Sequence, residues 1–174
     1  MYPCVFLDRD GVINHDYGYV YKEKDFIIID GVLEALKIIN KKGYKIIIVT
    51  NQSGIARKIF TNEDFFKINE HMLNIFSTNQ INIESVLHCP HHPKFSGYCK
   101  CRKPNPGMIL KAKKDYLINL KKSFLVGDKM TDVEAGLAAG LKHSFLISSN
   151  KNKDILSFLN LLEFSNWLPY NFKS

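Results

Sequence analysis

The chain has 174 residues, of which 45% are hydrophobic and 24% are charged, and its formal net charge is +7. This length suits one compact domain with its own core, and the apolar runs are too short to form a membrane-spanning helix. Much of the positive charge lies in Lys–Lys pairs such as Lys41 and Lys42, where a solvated helix face explains it better than nucleic-acid binding. We therefore expect one domain, residues 1–174, that acts as a monomer without a nucleic-acid or membrane partner.

The N-terminus and the cysteines predict a cytoplasmic protein that binds metal. In "MYPCVFLDRDG", Asp8 interrupts the first apolar run before it reaches the length of a signal peptide. Clustered cysteines in a reducing cytoplasm are more often metal ligands than disulfide partners. Three of the four cysteines lie between positions 89 and 101, so we expect a metal there and a buried core position for Cys4.

Short apolar runs alternate with helical patterns along the chain, which predicts βαβ units. The runs are almost continuously apolar, as expected for parallel strands that are buried on both faces. We therefore predict an α/β fold in which helices flank a Rossmann-like parallel sheet. The predicted strands cover residues 4–8, 44–50, 85–88, 123–127 and 144–147.

The first two predicted helices carry clear signals at their ends. An apolar stripe between Asp30 and Gly43 predicts a helix that Asp30 caps and Gly43 ends. The second helix starts at Thr61, which can form a capping box with Asp64. Its apolar stripe consists of Phe65, Ile68, Met72 and Phe76.

Two more helices follow in the second half of the chain. Asn105 and Pro106 suit the cap and the first turn of the third helix. Thr131 pairs with Glu134 at the start of the fourth helix, which ends at Gly140.

The C-terminal region offers a weaker pattern and no chemistry. A short helix is predicted over residues 154–162. Three aromatic residues of the tail, Trp167, Tyr170 and Phe172, are expected to pack against the core.

Polar side chains stand where three of the predicted strands end. Asp8 and Asp10 follow the first strand, Thr50 ends the second, and Asp128 follows the fourth. Ligands of open parallel sheets bind beyond the carboxyl ends of the strands, so we expect these side chains at one edge. Taken alone, Asp8 and Asp10 could equally be turn residues at a strand end.

Carboxylates that converge at a sheet edge repel one another and lose hydration unless a cation neutralises them. Mg²⁺ is the natural candidate because it takes one or two carboxylates together with a substrate phosphate. Lys103, Thr50 and backbone amides can hold phosphate oxygens beside the Mg²⁺ ion. The position of Arg102 next to Lys103 indicates that it also contacts an anion. The pattern therefore predicts a phosphoryl-transfer site.

Four segments, "DRDGVIN", "IVTNQSG", "RKPNPGM" and "VGDKMTD", resemble the ordered motifs of haloacid dehalogenase superfamily phosphatases, across roughly residues 4 to 145. The resemblance implies that Asp8 is the nucleophile that forms an aspartyl phosphate and that Asp10 is the acid and base. It also implies Mg²⁺ bound by the side chains of Asp8 and Asp128 and by the backbone carbonyl of Asp10. Thr50 and Lys103 complete the expected catalytic set.

The residues after Asp128 have less certain roles in the sequence. Lys129 stands where many members of the superfamily have another acid, which predicts a cation that contacts substrate. Asp132 and Glu134 are interpreted as first-turn charges that the helix dipole favours.

The loop at residues 89–101 predicts a structural zinc site. Four soft ligands can close around Zn²⁺ tetrahedrally: Cys89, His91, Cys99 and Cys101. His92 could replace His91, and His91 is favoured because the family pattern agrees. The loop has little apolar surface, so bound metal explains its order, and it is expected to aim Arg102 and Lys103 at the site.

The zinc loop narrows the resemblance to a subfamily without a large cap domain, which contains heptose bisphosphate and histidinol-phosphate phosphatases. "NQSGIARKIFT" favours the heptose enzymes, which implies removal of the 7-phosphate of D-glycero-D-manno-heptose 1,7-bisphosphate in the ADP-heptose pathway to lipopolysaccharide. The expected partner is thus a phosphorylated sugar. The expected substrate contacts are Asp16, Tyr17, Gly18, Tyr19, Asn51, Ser53, Arg102 and Lys129.

Three alternatives stay open at this point. One is a degenerate, inactive phosphatase, against which the intact aspartates argue. Histidinol-phosphate phosphatase would use the same chemistry on another substrate. A zinc-dependent nucleic-acid-binding module would explain the basic charge and the Cys/His cluster but would leave the carboxylates unexplained.

Overall fold

A computed structural model of the chain describes residues 1–149 and 156–171. Six parallel strands form one sheet in the order β3-β2-β1-β4-β5-β6. The strands are β1 (Cys4–Leu7), β2 (Lys45–Asn51), β3 (Ser85–Cys89), β4 (Phe124–Gly127), β5 (His143–Ile147) and β6 (Ser157–Phe158). The first five lie within one residue of the predicted ends, which confirms the α/β class.

Helices cover both faces of this sheet. They are α1 (Val32–Lys41), α2 (Asn62–Thr78), α3 (Pro93–Ser96), α4 (Gly107–Asp115), α5 (Met130–Ala139) and α6 (Leu161–Trp167). Short 3-10 helices at Glu23–Asp25 and Leu120–Lys122 complete the regular structure of the described residues.

Some predicted helix ends are confirmed and others are wrong. Thr61 and Asp64 form the expected capping box of α2. Asp30 does not cap α1, because Gly31 takes the N-cap position in a left-handed conformation with φ of 80°. In α4 the cap moves one residue along from Asn105 to Pro106.

The start of α5 also differs from the prediction. Thr131 and Glu134 do not form a capping pair, since Lys129 is the N-cap and its backbone N–H donates to Oδ2 of Asp132 at 3.1 Å. The predicted end at Gly140 is confirmed by a left-handed C-cap. The acidic residue that caps this first turn is therefore Asp132 and not Glu134.

The helix predicted over residues 154–162 is wrong within the described residues. Ser157–Phe158 pairs as an edge strand with β5, and α6 begins only at Leu161. Trp167 packs against core rings, with its ring centroid 5.0 Å from that of Phe145, although its outer face stays exposed. Phe172 lies outside the described residues.

Alternating side chains of the strands build a core on each face of the sheet. Val5 and Leu7 of β1 pack with the apolar faces of α1, α2 and α6. Cys4 and Phe6 point the other way, toward α4 and α5, so Cys4 is a buried core residue as predicted. The sheet is thereby covered on both sides, which leaves its carboxyl edge for polar groups.

The order of the strands creates one crevice at that edge. The chain runs from β1 outward to β2 and β3, and then returns to place β4 on the other side of β1. Such a reversal separates the connecting loops and opens a binding crevice beyond the strands. Across residues 1–149 and 156–171 there is no separate cap domain over this crevice, and none of the helices there is long and apolar enough to cross a membrane.

Candidate active site

A cleft of about 480 Å³ lies at the carboxyl edge of β1, β2 and β4. It combines residues that the sequence places far apart, because parallel strands deliver their ends to the same side. The lining residues are Asp8, Asp10, Asp16, Gly18, Tyr19, Thr50, Asn51, Gln52, Ser53, Arg102, Lys103, Lys129, Thr131 and Asp132.

Lys103 is the buried cation at the centre of this cleft. Its Nζ lies 2.9 Å from Oδ1 of Asp8 and 2.5 Å from Oδ1 of Asp132. It also donates to the carbonyl oxygen of Val49 at 2.7 Å. Three acceptors therefore fix the ammonium group beside the predicted nucleophile.

Burial and neighbouring charges shift the pKa values of the ionisable groups around Lys103. Burial raises the pKa of Asp8, and nearby Asp132 adds to the rise, while Lys103 opposes it. Burial alone would lower the pKa of Lys103, but the carboxylates of Asp8 and Asp132 reverse that effect and raise it. Burial and the negative charge of Asp8 raise the pKa of Asp128 to about 6. Lys103 alone therefore does not offset all the negative charge.

The carboxylates fit a divalent cation. Oxygens of Asp8, Asp128 and Asp132 all lie within 4.8 Å of one another. Asp132 already contacts Lys103 and the Lys129 backbone, whereas the buried Oδ1 of Asp128 has no hydrogen-bond partner among the described residues. Hard carboxylate oxygens are the ligands that Mg²⁺ prefers. The side of the cluster formed by Asp8 and Asp128 therefore suits Mg²⁺.

Asp10 is held by a separate set of donors. Arg9, whose side chain is fully buried, donates to both carboxylate oxygens from Nη2 at 2.9 and 3.0 Å. Nδ2 of Asn14 donates to Oδ1 at 2.9 Å, and Nε2 of Gln52 donates to Oδ2 at 3.0 Å. These bonds orient the Asp10 carboxyl group independently of the cluster around Asp8.

The end of β2 contributes three neighbouring side chains. Thr50 is buried, and its Oγ1 accepts from Nε2 of Gln52 at 2.8 Å, so Gln52 connects it to Asp10. Asn51 borders the cleft, and its amide makes two hydrogen bonds with the backbone of Lys103. Ser53 lies beyond them at the cleft wall.

Most of the predicted substrate contacts line the cleft. Asp16, Gly18, Tyr19, Arg102 and Lys129 all do so, as do Asn51 and Ser53. Tyr17 does not: it is 65% exposed, and its ring stacks on that of His15 with centroids 5.8 Å apart. The structure thus brings together all but one of this predicted set.

Lys129 joins the loop after β1 to the start of α5. Its Nζ lies 3.1 Å from Oδ2 of Asp16 and 3.6 Å from Oδ2 of Asp128. A cation therefore occupies the position after Asp128, between the loop and the carboxylates.

The zinc-type ligands converge in the loop after β3. One ligand atom each from Cys89, His91, Cys99 and Cys101 lies within 4.8 Å of the others. Nδ1 of His91 lies 3.6 Å from Sγ of Cys89 and 3.3 Å from Sγ of Cys101. Such separations approach the ~3.5 to 3.8 Å between ligand atoms of a tetrahedral zinc site. Four protein ligands close the site, so the group fits structural zinc.

His92 is engaged elsewhere, which favours His91 as the ligand. Nε2 of His92 lies 2.9 Å from Nη2 of Arg57, and Nδ1 accepts from the backbone N–H of Lys94. Arg57 also stacks over the ring of Phe95, with its guanidinium carbon 4.7 Å from the ring centroid. These contacts anchor the tip of the loop rather than the metal cluster.

Known proteins match this arrangement. The family model described as polynucleotide kinase 3 phosphatase matches residues 7–156. The D-glycero-beta-D-manno-heptose-1,7-bisphosphate 7-phosphatase of Photorhabdus laumondii is 43% identical over 154 residues, which cover 86% of this chain and 82% of that protein. The D-glycero-alpha-D-manno-heptose-1,7-bisphosphate 7-phosphatase of Campylobacter jejuni is 42% identical over 94% of both chains. The chain is a haloacid dehalogenase superfamily phosphatase of the heptose-bisphosphate subfamily.

A solved structure agrees with this assignment. The heptose 1,7-bisphosphate phosphatase from B. bronchiseptica, complexed with magnesium and phosphate, superposes with a TM-score of 0.85 and 26% identity. The match covers 95% of this chain and 97% of that one. The haloacid dehalogenase fold and a phosphoric monoester hydrolase activity are therefore established for this phosphatase.

Sequence reasoning missed four residues of the phosphatase site. Asp132 was interpreted as a first-turn charge, but it is buried and pairs with Lys103. Arg9, Asn14 and Gln52, which hold Asp10, were assigned no role although all three lie inside the quoted motifs. Position was the available signal, since all of these residues lie within segments that resemble the motifs of the family.

Proposed function

We propose that this phosphatase removes the 7-phosphate of D-glycero-D-manno-heptose 1,7-bisphosphate with Mg²⁺ as cofactor. The substrate assignment rests on the sequence identity of 42–43% to relatives named for this activity, across 86–94% of the chain. The paired Asp8 and Lys103 support the chemistry. The reaction would belong to ADP-heptose synthesis for the lipopolysaccharide core, in the cytoplasm.

In the first step, a carboxylate oxygen of Asp8 attacks the phosphorus atom and forms an aspartyl phosphate. The bond between phosphorus and the sugar oxygen breaks, and that oxygen takes a proton from Asp10. Arg9, Asn14 and Gln52 orient the Asp10 carboxyl group for this transfer. Two different environments thus let two aspartates serve as nucleophile and acid.

In the second step, Asp10 takes a proton from water, and the water oxygen attacks the phosphorus of the aspartyl phosphate. The bond to Asp8 breaks, which releases inorganic phosphate and restores both side chains. Lys103 stays beside Asp8 throughout and offsets charge on the transferring phosphoryl group, as Thr50 does by hydrogen bonding. Mg²⁺, held by Asp8, Asp128 and the Asp10 carbonyl, would neutralise the carboxylates and the phosphate.

The remaining cleft residues would bind the sugar and its second phosphate. Arg102 and Lys129 supply positive charge at the wall of the cleft. Asp16, Gly18, Tyr19 and Ser53 add hydrogen-bonding groups to the lining of the same cleft. Zinc would hold the loop at residues 89–101, from which Arg102 and Lys103 enter the cleft directly.

A substrate panel tests the proposal. Purified protein with Mg²⁺ is assayed for phosphate release from heptose 1,7-bisphosphate, histidinol phosphate and a 3′-phosphorylated DNA oligonucleotide. We expect kcat/KM to be at least about 100-fold higher for the heptose substrate, a difference of about 2.7 kcal/mol in transition-state binding. A preference for histidinol phosphate or for the oligonucleotide would refute the assigned substrate.

A further inference from the structure

We propose that Asn51 is a positioning residue for Lys103 rather than a contact for the sugar. The inference rests on the proposed chemistry of Asp8 and Lys103 but not on the identity of the sugar. It replaces the role that the sequence resemblance implied for Asn51, and it explains how a lysine from a metal-binding loop is held beside the nucleophile.

The side-chain amide of Asn51 forms two hydrogen bonds with the backbone of Lys103. Its Nδ2 donates to the carbonyl oxygen of Lys103 at 3.1 Å, and its Oδ1 accepts from the backbone N–H of Lys103 at 3.1 Å. The side chain thus satisfies both backbone polar groups of one residue, as a residue of a neighbouring strand would. The two bonds fix both the position and the direction of the Lys103 backbone.

The other end of Lys103 is tied to the same strand. Its Nζ donates to the carbonyl oxygen of Val49, two residues before Asn51 in β2. The lysine is therefore attached to β2 at its backbone and at its ammonium group. Because β2 pairs directly with β1, this attachment sets the distance between Nζ and Asp8, which follows β1.

The contact with β2 matters because the zinc loop itself provides no comparable pair of hydrogen bonds to the Lys103 backbone. Cys101 is the last zinc-type ligand, and Lys103 follows it by two residues without lying in a helix or strand. Arg102 between them donates to the carbonyl oxygen of His91 at 3.2 Å, within the loop itself. Asn51 thus connects the loop to the sheet at the residue on which catalysis depends.

The chain contains a matched control for this contact. Nδ2 of Asn40 donates to the carbonyl oxygen of Asn82 at 3.1 Å, and the backbone N–H of Asn82 donates to Oδ1 of Asn40 at 2.8 Å. The geometry is the same as at Asn51, but it lies at the end of α1, away from the cleft lining. Asn40→Ala therefore removes an equivalent pair of hydrogen bonds without touching Lys103.

The test measures kcat and KM of Asn51→Ala, Lys103→Ala, the double variant and Asn40→Ala. Each is assayed with heptose 1,7-bisphosphate and with p-nitrophenyl phosphate, which has no sugar. We expect Asn51→Ala to lower kcat by about 10- to 100-fold on both substrates, since a small misplacement of a catalytic group has costs of this size. KM should change by less than about threefold, and Asn40→Ala should match the unaltered protein.

The double variant gives the sharpest result. If Asn51 acts through Lys103, then adding Asn51→Ala to Lys103→Ala should lower kcat no further. Losses that multiply, or a higher KM with unchanged kcat on the sugar substrate alone, would overturn the proposal. If the unaltered protein turns over neither substrate, the proposed phosphatase chemistry is wrong, and the role of Asn51 is wrong with it. If it turns over p-nitrophenyl phosphate but not the heptose substrate, only the proposed sugar substrate is refuted.

Thermal unfolding and zinc content of each variant separate misplacement from unfolding. Asn51→Ala should keep the zinc content of the unaltered protein, because the metal ligands precede Lys103. Should Asn51→Ala fail to fold, Asn51→Ser serves in its place, since its hydroxyl is too short to reach both backbone groups of Lys103. Full activity of folded Asn51→Ser on both substrates would contradict the positioning role.

Discussion

Nζ of Lys103 lies 2.9 Å from Oδ1 of Asp8, and both side chains are almost completely buried. An ammonium group at this distance opposes the rise that burial causes in the pKa of Asp8, and it stands ready to offset charge on the phosphoryl group. The same lysine contacts Asp132, so one cation pairs with the nucleophile and with an acid that the sequence predicted to be only a first-turn charge.

Asp8→Asn should abolish turnover while the fold persists. The amide keeps the size of the side chain but is no nucleophile at phosphorus, so kcat should fall by at least about four orders of magnitude. Phosphate release and thermal unfolding check the two parts of the prediction. Asp115→Asn, which removes an exposed acid paired with Lys111 at 2.6 Å, is the control and should keep full activity. Turnover by Asp8→Asn near the normal rate would disprove the nucleophile assignment.

Asp132→Asn should lower kcat by about 10- to 100-fold. The change removes one of the two charges that hold the Lys103 ammonium group, while the neutral side chain can still accept from the Lys129 backbone. Steady-state kinetics with saturating Mg²⁺ provide the measurement. Glu134→Gln, an exposed acid two residues further along α5, is the matched control and should leave kcat unchanged. Equal effects of the two substitutions would show that Asp132 is only a helix-end charge.

Gly11→Ala should weaken the magnesium site. Gly11 has φ of 85°, and an added Cβ would lie 2.4 Å from Oδ2 of Asp128, so the carboxylate must move. We expect the Mg²⁺ concentration that gives half-maximal activity to rise about tenfold or more. Gly140→Ala carries similar backbone strain at φ of 84°, but its Cβ meets only the end of the Lys121 side chain, at 4.0 Å. Gly140→Ala should therefore be less stable, but its Mg²⁺ requirement should not change. An equal rise in the half-maximal Mg²⁺ concentration of both variants would contradict the prediction.

Zinc content should distinguish the cysteines that bind metal from the cysteine that lies in the core. Metal analysis after dialysis should return about one zinc per chain, and Cys101→Ser should lose most of it because a tetrahedral site needs all four ligands. Activity should fall with the zinc, since Arg102 and Lys103 follow directly. Cys4→Ala changes a buried core cysteine on β1 and should retain the zinc even if it unfolds at a lower temperature. Zinc-free protein with full activity would remove the structural role of the metal.

Substitution of the adjacent histidines tests the choice of ligand. His91→Ala should lose zinc, because Nδ1 of His91 lies among the cysteine sulfurs. His92→Ala should retain zinc and lose only the contact with Arg57 at 2.9 Å. The opposite pattern of zinc contents would reassign the ligand to His92.

Much of the fold and part of the site followed from local patterns. Continuous apolar runs predicted five strands to within one residue, because burial on both faces of a parallel sheet demands such runs. The spacing Cys-x-His…Cys-x-Cys predicted four ligands that do converge. The edge strand at Ser157–Phe158 was missed because two residues that pair on one side only leave no periodic signal.

The sequence by itself determined which side chains stand at the strand ends, because parallel strands send all their carboxyl ends to one edge. It therefore identified Asp8, Asp10, Thr50 and Asp128. Only the tertiary structure decided how those groups divide their contacts. Lys103 pairs with Asp8 and Asp132, and Asn51 holds the Lys103 backbone, through contacts between segments that are distant in the chain. Such pairings depend on strand order and on where the zinc loop returns to the sheet, and no local pattern contains that information.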